Sequence, residues 1–139
     1  MKLSIVILVI TFACKAENTT PTTPAPPANN TFDPAQAMLL KQGMLMGVNH
    51  TVSGTAAVYD SNGKKVVLLD PFNSQSGPDL KVYLSKDINA SSYIKLGNLK
   101  STIGQQAYEV PGTPDISQYT YVHIWCEAFT VVFGRAELK

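Results

Sequence analysis

The sequence predicts an all-β fold, a small antiparallel β-sandwich or barrel-like domain behind a disordered N-terminal tether. Three observations lead there. From about residue 43 onward, apolar side chains recur with a period of two rather than 3.6. Turns rich in glycine and proline separate these stretches at short spacing, as in sandwiches and barrels. Residues 1–32 carry neither feature: an apolar leader runs into a Pro/Thr-rich stretch.

The leader comes first. Lys2 precedes an unbroken apolar run from Ile5 to Ile10, far short of the roughly 20 residues a membrane-spanning helix needs. Residues 1–13 therefore read as a signal peptide. Thr11-Phe12-Ala13-Cys14 resembles the bacterial lipobox, in which a small residue precedes a cysteine that is acylated after cleavage. Thr11 and Phe12 depart from that pattern, which prefers Leu and a small residue there; Ala13 and Cys14 follow it. Cys14 is the expected lipidation site, with ordinary secretion and cleavage near Ala13 or Ala16 as the alternative. The expected location is outside the cytoplasm, lipid-anchored to the cell membrane or outer membrane.

Residues 14–32 read as the acylated cysteine and a linker. Residues 15–32 hold four prolines and five threonines, with no large apolar side chain before Phe32. Such a stretch cannot bury enough surface to fold, and its prolines favour extended conformations. Residues 33–42 form a further linker or short helical lead-in. Asp33 is placed to cap and Pro34 to open a helix reaching Gln42.

The folded part, residues 43–139, reads as strands in series. Val52, Ala56 and Val58 share one face. Asn62-Gly63 is a type I′ hairpin signal. Val66–Leu69 is a continuous apolar run, consistent with a strand covered on both sides. Leu80, Val82 and Leu84 alternate with Lys81, Tyr83 and Ser85; Ile94 and Leu96 flank Lys95. Tyr119–Cys126 is the longest run of β-branched and aromatic residues, and Phe129–Phe133 is the next strand. Trp125 and Phe133 are expected in the core.

Charge and motifs exclude several classes. Residues 43–139 hold eight basic and eight acidic side chains, so no electrostatic footprint for nucleic acid exists. No phosphate-binding glycine loop, Cys-x-x-Cys-His haem attachment, His-Glu-x-x-His zinc helix or Gly-x-Ser-x-Gly elbow occurs. The domain is not expected to be an enzyme by itself, and no metal site is assigned. A blue-copper centre would take Cys, two His and usually Met, but no His or Met follows Cys126.

Of two cysteines, Cys14 is either acylated or, if cleavage falls after Ala16, discarded, which leaves Cys126 alone in the domain. On a regular strand, Val122, Ile124 and Cys126 face one side, and Tyr121, His123 and Trp125 the other. His123 then cannot meet Cys126 without a bulge. His50, from another segment, can; otherwise it is a turn or surface histidine.

Val122-His-Ile-Trp-Cys-Glu-Ala-Phe-Thr-Val-Val-Phe-Gly-Arg-Ala-Glu-Leu138 resembles the C-terminal signature of the DM-thirteen domain. Gly43, His50-Thr-Val-Ser-Gly54, Phe72, Gly77-Pro-Asp-Leu-Lys-Val-Tyr-Leu84, Gly97-Asn-Leu99, Gly104 and Tyr108 continue the match in order. The resemblance covers residues 43–138. It implies a β-rich domain with a redox or electron-transfer role, centred on Cys126 as a naked thiol or as a ligand to a group such as haem. His50 falls at the family's histidine position, which makes Cys126 and His50 the candidate cofactor-binding pair, with haem or copper as the group. The partners implied are the membrane, through the anchor, and a redox protein. A second reading stands beside it: a non-catalytic binding or adhesion module whose Cys126 is core.

Overall fold

The structure is a computed structural model and describes residues 32–139. The expected signal peptide, Cys14 and the linker through residue 31 lie outside the described residues. Eight strands run in chain order: β1 (Met38–Gly47), β2 (Val52–Ser61), β3 (Lys64–Ser74), β4 (Leu80–Ser85), β5 (Tyr93–Asn98), β6 (Gln106–Glu109), β7 (Tyr121–Cys126) and β8 (Val131–Glu137). All ladders are antiparallel, in the order β5-β4-β7-β8-β1-β2-β3-β6. The two ends of that order, β5 and β6, lie against each other without a ladder, so the sheet curls into a nearly closed barrel.

The expected helix is shorter than the sequence suggests. Asp33 does cap it, its carboxylate accepting from the Ala35 N–H at 2.9 Å, but only Pro34–Gln36 is helical, as a 3-10 turn. From Met38 the chain is already β1, paired with β2 from Met38↔Asp60 onward. Gln42 and Lys139 exchange backbone hydrogen bonds at 3.0 Å. Residues 38–42 lack helical or strand periodicity of their own, and pairing with β2 decides their conformation.

Elsewhere local chemistry sets the turns. Asn62 and Gly63 take φ of 53° and 86°, the left-handed pair that a type I′ hairpin requires, and the Gly63 N–H donates to Asp60 Oδ1. Gly54 sits at a bulge where β2 bends, with φ 126°, and a Cβ there would stand 1.9 Å from the Pro71 carbonyl oxygen. The next strand begins at Val131, not Phe129; Glu127–Thr130 is a turn, and the Phe129 ring is exposed.

The core fills the barrel. Val58, Val67, Leu69, Val82, Leu84, Val122 and Ile124 are fully enclosed, with Phe72, Tyr108, Phe133 and Leu138 among them. Val66–Leu69 is buried throughout, as its unbroken apolar run implies.

Candidate functional site

β7 sits between β4 and β8, and strand alternation divides its side chains. Val122, Ile124 and Cys126 point inward, each with no exposed surface. Cys126 ends the strand opposite Leu80 on β4 and Val131 on β8. It forms no disulfide, and among the described residues its sulfur has no hydrogen-bond or ionic partner.

His50 lies in the β1–β2 hairpin, half-buried. Its ring stacks on Phe133, with centroids 3.7 Å apart and planes 10° apart. Phe133 borders Gly77 and Leu80, and Leu80 is the cross-strand partner of Cys126. No hydrogen bond joins the imidazole to the thiol among the described residues. Among the described residues, no group of three or more His, Cys, Asp or Glu is placed to hold a metal ion. This donor set does not fit copper. Nor does Cys126 fit as a haem ligand: its sulfur faces packed side chains, and neither cavity described below is lined by it.

The outer face of β7 is different. His123 is buried there, covered by the loop between β4 and β5. Its Nε2 donates to the Ile88 carbonyl at 3.0 Å, which leaves Nδ1 as a buried acceptor with no partner. Burial holds its pKa below the usual histidine value, so the ring is neutral. The covering loop is held by Asp87, whose carboxylate accepts from the N–H groups of Asn89, Ser91 and Ser92 and from the Ser91 hydroxyl. These bonds hold its pKa down at about 2.

Trp125 was expected in the core but lies half-buried on this outer face. Its indole stacks on Tyr83 of β4 at 6.0 Å, and Tyr83 stacks on Tyr93 of β5 at 4.1 Å with planes 8° apart. Tyr83 is 3% exposed and Tyr93 47%. The Tyr83 hydroxyl donates to Glu127 Oε1 at 2.5 Å, and Lys95 Nζ pairs with the same oxygen at 2.6 Å. Lys95 first, then Tyr83, hold the Glu127 carboxyl below its ordinary range. Desolvation and this carboxylate push the Tyr83 phenol up. Strand alternation placed Trp125 opposite Cys126, but the row could not be read without the register of β4, β5 and β7.

Two open cavities flank Arg135 on β8. One, of about 480 Å³, is lined by His50, Ile88, Trp125, Val132 and Arg135; the other, of about 500 Å³, by Met44, Met46, Ile88, Tyr121 and Arg135. Arg135 forms no ion pair or side-chain hydrogen bond among the described residues.

No curated protein and no solved structure matches the chain. A family model described as "Electron transfer DM13" matches residues 44–138, from the middle of β1 to the residue after β8. That span takes in seven whole strands and both faces of β7, and the chain belongs to the Electron transfer DM13 family.

Proposed function

We propose that this chain is a one-electron redox module held at a cell envelope through an acyl group on Cys14, and not an enzyme by itself. Membership of a family described by electron transfer supports the redox half. The apolar leader and Ala13-Cys14 support the anchor and an exported, bacterial setting.

The observation that carries the one-electron form is Cys126, enclosed and without a second cysteine among the described residues. A lone thiol cannot close an internal disulfide, and reactive cysteines sit in accessible, electropositive surroundings. Dithiol exchange is therefore closed to the native domain. On this reading Cys126 is a packing residue and not the electron carrier.

The test is a redox titration of the mature domain with soluble one-electron mediators reaching the oxidation range of tyrosine and tryptophan, beside thiol labelling. Electron exchange should persist in Cys126→Ala, and native Cys126 should label slowly while the unfolded chain labels fast. Rapid native labelling would return the chemistry to the thiol. Absence of exchange with every mediator would leave the second reading, a binding module. Arg135, which has no ion pair among the described residues and lies between two cavities, favours that reading, because it offers an anionic ligand a partner.

A further inference from the structure

The outer aromatic row has two ends that differ. Trp125 lines the cavity beside His50, and Tyr93 stands exposed on β5, an end strand of the sheet. Tyr83 lies between them, shielded from water. Cross-strand aromatic pairs do stabilise sheets on their own. Stacking alone, however, does not account for the Tyr83 hydroxyl, which is delivered onto a carboxylate kept ionised by Lys95. A phenol loses its proton when it loses an electron, so a poised acceptor within hydrogen-bond distance is what reversible tyrosine oxidation requires.

We propose that Trp125, Tyr83 and Tyr93 form a relay that carries an electron vacancy from the cavity beside His50 to the exposed edge of β5, with Glu127 as the proton acceptor of Tyr83. The relay rests on the one-electron reading above.

Each step balances. A one-electron oxidant in the cavity takes an electron from the Trp125 indole and is reduced, leaving an indole radical cation. Tyr83 gives an electron to that indole, and its phenolic proton moves along the 2.5 Å hydrogen bond to Glu127. Trp125 is restored, and Tyr83 is a neutral phenoxyl beside a protonated carboxyl. Tyr93 then gives an electron to Tyr83, Glu127 returns the proton to the Tyr83 oxygen, and the Tyr93 proton leaves to water. A one-electron donor at the β5 edge reduces Tyr93, with a proton regained from water. Ring centroids 4.1 and 6.0 Å apart keep both transfers short.

The test is flash photolysis of the full chain with photogenerated tris(bipyridine)ruthenium(III) as oxidant, followed by transient absorption and electron paramagnetic resonance. In the wild type the tryptophan radical should decay as a tyrosyl radical appears. Tyr83→Phe keeps the ring and the stack, and should prolong the tryptophan radical and lose that tyrosyl signal. Glu127→Gln keeps an acceptor but removes its basicity, and should slow the same step and enlarge its solvent isotope effect. Tyr93→Phe should leave the radical on Tyr83. Identical tryptophan-radical decay in wild type, Tyr83→Phe and Glu127→Gln, all folded by near-ultraviolet circular dichroism, would overturn the relay. Because the ruthenium complex replaces the natural oxidant, that failure is separable from failure of the redox reading, which is judged by mediator exchange of the wild type.

Discussion

Along β7, Val122, Ile124 and Cys126 turn inward and are wholly enclosed, while Tyr121 and Trp125 on the opposite face stay half-exposed and His123 is buried under a loop. The inner face is apolar, and its partners are other apolar side chains of the barrel. The outer face carries rings and polar groups whose partners come from β4, β5 and the 86–92 loop. Six consecutive residues thus separate two tasks. Volume and burial govern the inner side, whereas register with neighbouring strands governs the outer one. Substitutions inside should move stability, and substitutions outside should move chemistry.

The largest expected effect tests the inner side. Phe133→Ala empties a buried ring site and should cost about 3–5 kcal/mol, read as a fall in the denaturation midpoint. A loss of that size is a large part of the roughly 5–15 kcal/mol that holds an ordinary domain together. A near-neutral result would mean that the His50 stack, rather than the core, holds this ring.

Cys126→Ser is a sharper probe, because it changes little but polarity. A hydroxyl placed without a partner among apolar side chains should cost about 1–3 kcal/mol, whereas Cys126→Ala should cost less. Equal stability of Cys126→Ser and wild type by urea denaturation would show the sulfur facing a polar environment, and would break the contrast between the two faces.

Trp125→Ala should cost about 1 kcal/mol, the scale of a stacked aromatic pair, since this ring keeps part of its surface in water. A loss equal to that of Phe133→Ala in the same denaturation assay would return Trp125 to the core.

The smallest effect is a pH dependence. Burial lowers the pKa of native His123 below the 6.5 of a free side chain. As pH falls through about 6.5, the unfolded chain takes up a proton that the native ring resists, so the His123 contribution is full above that value and is lost below it. Thermal midpoints of wild type should decline from there, and those of His123→Phe should not. The depressed carboxyl of Asp87 acts lower: its contribution is present above the unfolded value of 3.8 and lost as pH falls toward about 2. A flat profile between pH 6.5 and 3.8 would show that His123 is hydrated in the native state.

The sequence by itself determined the all-β class, the Asn62-Gly63 hairpin, the Asp33 cap and the division of β7 into two faces. Each of these rests on alternation or on turn and cap chemistry within a few residues, which a linear reading can follow. Only the tertiary structure decided that Met38–Gln42 is strand, because β2 and the Lys139 backbone supply its hydrogen bonds. Only it seated His50 on Phe133 and brought Tyr93, Tyr83 and Trp125 into one row. Those neighbours come from strands far apart in the chain. Register between such strands is fixed by how the whole barrel closes on its core, a property that no local stretch of residues contains.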